Sequence, residues 1–189
     1  MAQHTHYFLA ISIPQHIRAI MKNWTDLLKQ RLSFKSWVHP QDYHITLAFL
    51  GNPQSFTQLN DVKNLLPAGL ENHPTFHLEL NGIGTFGRKD SPRILWCGIN
   101  EQQKLMGLQR DVYNICTDVG FSLEKRQFSP HITLARKWLD DAPFNKESLE
   151  EIVEPQEQFC AFKVEHIILY QTHLNRVPKY QPLSIFRLQ

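Results

Sequence analysis

Two histidine–threonine pairs in this sequence have the residue types and the spacing for acid–base chemistry. They belong to two copies of one motif, His-Ile-Thr-Leu-Ala, which begin at His44 and at His131. Successive side chains on a β-strand point to opposite faces. If each motif is a strand, its histidine and threonine share one face, while its isoleucine and leucine share the other. The apolar side chains would then anchor the strand in a core, and the polar pair would face away from it.

Two such strands facing one another would bring two imidazoles and two hydroxyls to one cleft, an arrangement that suits a phosphoester. Displacement at phosphorus places the attacking and the leaving oxygen on opposite sides. A neutral imidazole can accept the proton of the nucleophile while an imidazolium protonates the leaving group. The reference pKa of histidine, about 6.5, makes both forms accessible near neutral pH. The hydroxyls can donate to the non-bridging oxygens, and no metal or cofactor is required.

The pairing of the motifs raises these residues above ordinary polar positions. A single histidine on a strand is usually a tolerated polar residue, and a single threonine is usually present for its β-propensity. A zinc site built on His44 and His131 would need further ligands, but neither motif supplies a third at metal-like spacing. We therefore expect no metal. We assign no role to the other histidines, which are His4, His6, His16, His39, His73, His77, His166 and His173.

The repeat extends beyond the motifs into the elements that must position them. A strand-like apolar run precedes each copy, at Tyr7–Ile11 and at Ile94–Cys97, and each run is followed by apolar residues at helix spacing. Pro14 suits the first turn of the first helix, and Gly120 stands where a C-cap of the second is expected. The helical positions are Ile17, Ile20, Met21, Trp24, Leu27 and Leu28, and then Leu105, Leu108, Val112, Ile115, Cys116 and Val119.

A second helix candidate and a third strand follow each motif. The alternating runs Phe76–Leu80 and Phe162–His166 stand at nearly the same distance from their motifs, which predicts a duplicated strand–helix–strand–helix–strand unit. Since no Gly- or Ser-rich linker separates the copies, we expect residues 1–189 to form one domain of two lobes, with the motifs at 44–47 and 131–134. The helix candidates are Leu59, Val62, Leu65 and Leu66, and then Leu149, Ile152 and Val153.

Composition narrows the class of protein. Of the 189 residues, 42% are hydrophobic and 20% are charged, as in ordinary globular chains, and no apolar run is long enough to span a bilayer. The N-terminal stretch lacks the pattern of a signal peptide. Cys97, Cys116 and Cys160 are odd in number and widely spaced, as expected of buried thiols. We therefore expect a cytoplasmic protein with no membrane partner. The net charge of +2 argues against a long duplex-binding track but allows a local phosphate pocket.

The paired motifs and their flanks resemble the two-histidine phosphoesterases, whose mark is two His-x-Thr-x motifs in a duplicated α+β chain. Within them, the chain is similar to the bacterial and archaeal RNA 2′,3′-cyclic phosphodiesterases, also called LigT-like or 2′-5′ RNA ligase proteins. The resemblance implies an α+β fold of two pseudo-symmetric lobes, each an antiparallel sheet with helices packed outside, around a central cleft. The segments that carry it are YFLAISIP, WVHPQDYHITLAFLG, LELNGIGTFGRKDSPRILWCGI, KRQFSPHITLAR and VEHIILYQTHL.

The resemblance also implies roles for matching residues. His44 would be the proton donor to the leaving oxygen, and His131 would be the proton acceptor that activates water. Thr46, Thr133 and Arg136 would bind the phosphate. The chain departs from the family pattern outside these positions, in its LYQTHL tail and in the glutamine of KRQFSP, and both departures could alter the choice of substrate.

The two copies differ at one position beside the motif, where Arg136 in the second copy corresponds to Phe49 in the first. Strict alternation would put Arg136 on the core side of its strand, opposite His131, unless the strand ends or twists there. An exposed salt bridge is the alternative interpretation of this arginine. Arg126, Phe49 and Tyr170 are candidates to contact RNA, by charge or by stacking on a base, although core packing is the commoner fate of an aromatic side chain.

These residues support several functions. The first hypothesis is metal-independent hydrolysis of RNA 2′,3′-cyclic phosphate ends, for which the resemblance implies 2′-phosphomonoester products. Ligation of an RNA 5′-hydroxyl through a 2′-5′ bond would use the same site, and a nucleoside 2′,3′-cyclic phosphate or another small cyclic nucleotide is an alternative substrate. A non-catalytic RNA-end binding module is a further hypothesis, but binding alone does not need two titrating groups. We expect the protein to be a monomer.

Overall fold

The structure, a computed structural model, describes residues 5–100, 102–146, 149 and 160–189. The described residues form three α-helices and nine strands. In chain order these are β1 (Tyr7–Ser12), α1 (Gln15–Lys29), β2 (Phe34–Trp37), a 3₁₀ turn (Pro40–Asp42), β3 (His44–Gly51), α2 (Phe56–Leu70), β4 (Phe76–Gly87), β5 (Pro92–Ile99), α3 (Gln103–Asp118), β6 (His131–Trp138), β7 (Ala161–Val164), β8 (His166–Thr172) and β9 (Tyr180–Arg187).

Local sequence determines the ends of the first and third helices. Pro14 is the N-cap of α1, as its fixed φ allows. Gly120 follows α3 with φ +94°, a left-handed conformation that glycine adopts without strain. The amides of Gly120 and Phe121 donate to the carbonyls of Thr117 and Cys116, which closes the helix in a Schellman motif. Both predicted helices are therefore confirmed.

The buried faces of the helices largely match the predicted apolar positions. α1 buries Ile17, Met21 and Leu28, but the predicted position Leu27 is 48% exposed. Leu65 of α2 is likewise 49% exposed, because it lies on the side of the helix away from its buried residues. The buried positions of α2 and α3 are Leu59, Val62 and Leu66, and then Leu105, Leu108, Val112 and Cys116.

Only part of the fourth predicted helix can be compared with the structure. Leu149 is helical and buried, as the pattern predicts. The other two predicted positions, Ile152 and Val153, lie outside the described residues.

The described strands form one antiparallel sheet, in the order β7-β4-β5-β6-β3-β1-β8-β9, with β2 beside β6. The two motif strands, β3 and β6, are neighbours at its centre and pair through Ile45 and Ile132. On one side of this point β1 pairs with β3, and on the other side β5 pairs with β6. The elements before each motif therefore take equivalent places in the sheet.

The third strand of each copy lies in the half of the sheet that belongs to the other copy. β4 pairs with β5, and β8 pairs with β1. The start of β4 also pairs with β7, so the two predicted runs meet as Leu78↔Phe162 and Phe76↔Val164. The α+β antiparallel fold is confirmed, but each half of the sheet draws strands from both copies. Alternation in a sequence assigns the faces of a strand and not its neighbours, so this exchange was not predictable.

One continuous core lies between the sheet and the helices. Gly69 of α2 contacts Ile115 of α3 so closely that a Cβ there would lie 2.3 Å from the isoleucine Cδ1, which explains the glycine at this helix contact. Cys97, Cys116 and Cys160 are buried thiols, as predicted. Burial raises the pKa of Cys116 to about 12, so this thiol is unreactive near neutral pH.

Candidate active site

Both motifs are strands whose polar and apolar residues separate to opposite faces. Ile45 and Ile132 are completely buried, whereas the histidines and threonines are half-buried, so the predicted face of each motif is confirmed. In an antiparallel ladder, the Ile45–Ile132 pair places Thr133 opposite His44 and His131 opposite Thr46. Residues directly opposite on one face have Cβ atoms about 4.5–5.5 Å apart. The four side chains therefore form one cluster at the middle of the sheet.

A β-bulge interrupts each motif at its leucine. β1 pairs Ala10 with Thr46 and Leu9 with Ala48, so Leu47 is an extra residue in β3. β5 pairs with β6 in the same way, and there Leu134 is the extra residue. A bulge breaks the alternation of side chains and turns the residues beyond it to the other face. Ala48 and Ala135 are accordingly buried, like the leucines that precede them.

The backbone oxygens released by the bulges have partners outside the ladder. The Leu47 carbonyl accepts a hydrogen bond of 3.2 Å from Nε2 of Gln109 on α3. The Leu134 carbonyl accepts one of 2.8 Å from the amide of Val38, just after β2. Because buried carbonyls that lack a partner are costly, these contacts stabilise the bulges.

The bulge changes the position of Arg136. Strict alternation predicted that this arginine lies on the core side, and that prediction is wrong. With Leu134 and Ala135 both inward, Arg136 is exposed on the face that carries His131. Its guanidinium donates a hydrogen bond to the Tyr180 hydroxyl, and its charge lowers the pKa of both motif histidines. Phe49, the equivalent residue of the first copy, reaches the same face by the same route and is 55% exposed.

The two imidazoles have the same tautomer. Nδ1 of His44 is 2.7 Å from the carbonyl oxygen of Asp42, and Nδ1 of His131 is 2.7 Å from that of Ser129. A carbonyl oxygen only accepts, so Nδ1 donates in both rings. Nε2 of each neutral ring is therefore the free base. The hydroxyl of Thr46 lies 3.0 Å from Nε2 of His44 and donates to it.

One aromatic ring packs edge-on against each imidazole. The Tyr180 ring is 5.1 Å from that of His44, and the Phe86 ring is 4.9 Å from that of His131, each at 89°. Phe8 also contacts His44, at 4.8 Å. These contacts and the Nδ1 hydrogen bonds restrict the rotation of both rings, so each Nε2 atom is held in place before any ligand binds.

Sequence reasoning missed Asp42, which anchors the first histidine. Its side chain is only 4% exposed. The carboxylate accepts from the amide of Lys179 at 2.9 and 3.0 Å and from the amide of Tyr180 at 3.1 Å, while its carbonyl oxygen holds His44. Asp42 thus connects the beginning of β9 to His44. Its partners stand more than 130 positions away in the chain, and no sequence pattern links them.

The surroundings of the histidines favour their neutral forms. Burial is the main cause that lowers the pKa of His44, to about 4, and the charges of Arg136 and His131 lower it further. The carbonyl and the charge of Asp42 act in the opposite direction. The pKa of His131 is also lowered, first by burial and then by Arg126 and Arg136. A bound anion would raise both values, because it favours the charged imidazolium.

The three candidates for RNA contact lie in two different places. Phe49 and Arg126 line a groove that begins at Thr46 and His131. Tyr170 is half-buried and stacks on Phe8 at 5.2 Å, with its ring 6.5 Å from that of His44. The structure therefore brings Phe49 and Arg126 together and places Tyr170 apart from them.

Within the described residues, no group of three or more His, Cys, Asp or Glu side chains could hold a metal ion. None of the described helices has both the length and the apolar character needed to cross a bilayer.

The fold and the paired motifs define a class of α+β proteins with two histidines in one cleft. A family model described as the 2′-5′ RNA ligase superfamily matches residues 13–176. The chain belongs to this superfamily. Its crystal-structure neighbours include E. coli LigT complexed with 3′-AMP, with a TM-score of 0.78, 27% identity and 99% coverage of both chains.

Two bacterial relatives are named RNA 2′,3′-cyclic phosphodiesterase. The chain is 39% identical to that of Geobacillus stearothermophilus over 97% of its own length, but it spans only 57% of that relative. It is 33% identical to that of Bacillus subtilis, with 97% of this chain and 96% of the relative covered.

Proposed function

We propose that this protein hydrolyses RNA ends that carry a 2′,3′-cyclic phosphate, that it forms 2′-phosphomonoesters, and that it uses no metal. The observation that carries the proposal is the cluster of two histidines and two threonines around the Ile45–Ile132 pair. The names of the G. stearothermophilus and B. subtilis relatives support the reaction. The 3′-AMP complex of E. coli LigT supports a nucleotide ligand in this fold.

In the proposed reaction, His131 is the proton acceptor and His44 is the proton donor. Nε2 of His131 takes a proton from water as the water oxygen bonds to phosphorus. The bond between phosphorus and the 3′-oxygen breaks, and Nε2 of His44 gives its proton to that oxygen. The products are a 2′-phosphomonoester and a 3′-hydroxyl. Proton exchange with solvent then returns both rings to their starting forms.

Thr46, Thr133 and Arg136 bind the phosphate oxygens in this scheme. Two hydroxyl donors and one guanidinium would stabilise the charge that gathers on the non-bridging oxygens. Thr46 donates to Nε2 of His44 when no ligand is present. Its hydroxyl can turn to the phosphate once that nitrogen carries a proton, because an imidazolium no longer accepts.

The charges beside the two rings support this division of roles. The nearest anion to His44 is Asp42, whose charge favours the imidazolium form that a proton donor needs. Arg126 and Arg136 lie near His131 and disfavour its protonated form, as a proton acceptor requires. The anionic phosphate then supplies the remaining stabilisation of protonated His44.

We also propose that the two copies act as one domain. The exchange of β4 and β8 between the halves of the sheet supports this, because neither copy would complete its part of the sheet alone.

Product analysis in a chelator tests the proposal. Purified protein in EDTA is incubated with an RNA that ends in a 2′,3′-cyclic phosphate, and the end groups are identified by mass spectrometry and by sensitivity to phosphomonoesterase. We expect a 2′-phosphate, and no product from His44→Ala or His131→Ala on the same timescale. A 3′-phosphate product, or an activity that EDTA abolishes and Mg²⁺ restores, would show that the mechanism is different.

A further inference from the structure

A groove of about 820 Å³ leads away from the catalytic cluster on one side only. It begins at Thr46 and His131, and the second half of β3 forms its floor. One wall is α3, with Gln109, Arg110 and Tyr113, and the other is the segment 122–129 that precedes β6. Pockets for drug-sized ligands measure roughly 300–1,000 Å³, so the groove has room for more than a phosphate.

The groove occupies the place of a strand that only one copy has. In the first copy, β2 lies between α1 and β3 in sequence and pairs with β6, as Ser36↔Arg136 and Trp37↔Ala135. The equivalent segment of the second copy, Phe121–Glu124, lies between α3 and β6. It is not a strand, and among the described residues β3 pairs only with β1 and, at Ile45, with β6. The edge of β3 beyond Leu47 therefore faces the groove instead of a strand.

The contact that supports the bulge in β3 also joins the floor of the groove to one wall. Gln109 reaches from α3 to the carbonyl of Leu47, where the backbone of Val38 takes the equivalent position in the other copy. The bulge turns Phe49 into the groove, 55% exposed. A side chain thus replaces a strand as the support of the bulge, and an exposed aromatic ring takes the place that Arg136 has opposite.

The lining of the groove combines cations and aromatic rings. Arg110, Lys125 and Arg126 lie along its rim, and Phe49 and Tyr113 lie on its floor and wall. Arg110 pairs with Asp111 at 3.2 Å and Arg126 pairs with Glu124 at 3.1 Å, with both arginine side chains more than 70% exposed. Exposed ion pairs contribute little, so a phosphate can compete for these guanidinium groups. Aromatic rings between cations are the usual lining of single-stranded RNA sites.

We propose that this groove binds the RNA nucleotides that precede the cyclic phosphate, with a base on Phe49 and Tyr113 and backbone phosphates on Arg110, Lys125 and Arg126. The inference rests on the proposed function and names its substrate as an RNA chain instead of a free nucleotide. His44 and Phe49 belong to the same strand, and Nε2 of His44 is directed to Thr46 at the entrance of the groove. The ribose whose oxygen His44 protonates therefore lies where its chain can enter.

A comparison of two substrates tests the groove. One is a nucleoside 2′,3′-cyclic phosphate, and the other is a tetranucleotide with the same end. We expect a higher kcat/KM for the tetranucleotide. Phe49→Ala lowers that value by about 5- to 150-fold, the loss expected for one base stack, and leaves the nucleoside substrate unchanged. Leu65→Ala, which removes an equally exposed apolar side chain from α2, is the matched control and changes neither substrate.

The cations are tested through the dependence on salt. For the tetranucleotide, Lys125→Gln with Arg126→Gln reduces the slope of log kcat/KM against log salt by about 0.7 for each phosphate that no longer meets a cation. Lys22→Gln, on the outer face of α1 and away from the groove, leaves the slope unchanged.

The same variants are also tested by binding, so that the outcome does not depend on turnover. The affinities for a tetranucleotide 2′-phosphate and for a nucleoside 2′-phosphate are measured by titration, and Phe49→Ala weakens only the first. Equal losses for both ligands, or no loss for either, would overturn the proposal. Groove variants that affect only ligation to a 5′-hydroxyl RNA would assign the groove to an acceptor strand and would also overturn it. If the parent protein hydrolyses neither substrate but these binding differences hold, the proposed reaction fails and the groove remains.

Discussion

Ile45 and Ile132 pair across β3 and β6, so the two copies of the motif meet at their second residue. This pair lies on the buried face of the sheet, directly beneath the catalytic cluster. Each histidine is therefore diagonal to the other and adjacent to the threonine of the other copy. One apolar contact in the core sets the relative position of all four polar side chains.

Removal of either histidine should abolish most activity and leave the fold intact. We expect His44→Ala or His131→Ala to lower kcat by roughly 10²–10⁴-fold, the usual contribution of a general acid or base. The double variant should lose less than the product of the two single losses, because residues that act as a unit are not additive. Initial rates give the losses, and thermal melts provide the control. A folded single variant that keeps near-parental turnover would exclude this mechanism.

The pH dependence of kcat/KM should have its maximum on the acid side of the ordinary histidine pKa. This parameter reports the free enzyme, in which the pKa of His44 is about 4 and that of His131 is also lowered. The active form has one protonated ring, so activity falls as the pH rises above the higher of the two values and as it falls below the lower. The bound phosphate raises both, so the kcat profile should lie at higher pH. A kcat/KM maximum above pH 7 would contradict these surroundings.

Replacement of Asp42 should impair the site without contact to the phosphate. An asparagine keeps one acceptor oxygen but places an NH₂ group against the amides of Lys179 and Tyr180. Since hydrogen bonds to charged groups contribute about 1.5–3 kcal/mol, we expect Asp42→Asn to lower the free energy of unfolding by a similar amount.

The same variant should have a kinetic signature that a merely structural residue would lack. Loss of the carboxylate charge removes an interaction that raises the pKa of His44, so the acid limb of kcat/KM moves to lower pH and kcat falls more than KM rises. The exposed Asp61 of α2 offers the control variant Asp61→Asn. A purely destabilised Asp42→Asn enzyme with the parental pH profile would show that Asp42 does not tune His44.

Arg136→Gln should weaken substrate binding and shift the pH profile at once. Loss of a guanidinium contact to phosphate raises KM. The charge of Arg136 lowers the pKa of both histidines, so its removal raises both values and moves the kcat/KM maximum to higher pH. A loss of affinity with an unchanged profile would place Arg136 away from the rings.

The residues of the motif were predictable because they depend on local alternation. The faces of His44 and Thr46 follow from the two-residue period of any strand, and the duplication marked them as a pair. The position of Arg136 was not predictable, since it depends on a bulge that only the pairing with β5 reveals. Asp42 and the exchange of β4 and β8 were missed for a related reason: their partners are distant in the chain, and only the assembled sheet brings them together.

The most direct test of the two-histidine account separates the donor from the acceptor through the leaving group. A substrate whose leaving 3′-oxygen is replaced by sulfur departs as a thiolate, which needs no proton because thiols have a pKa near 8.5. In EDTA, the account predicts that this substrate restores most of the roughly 10²–10⁴-fold loss in His44→Ala and none of it in His131→Ala. Equal rescue of both variants, or rescue of His131→Ala alone, would contradict the assignment of His44 as the proton donor and His131 as the acceptor.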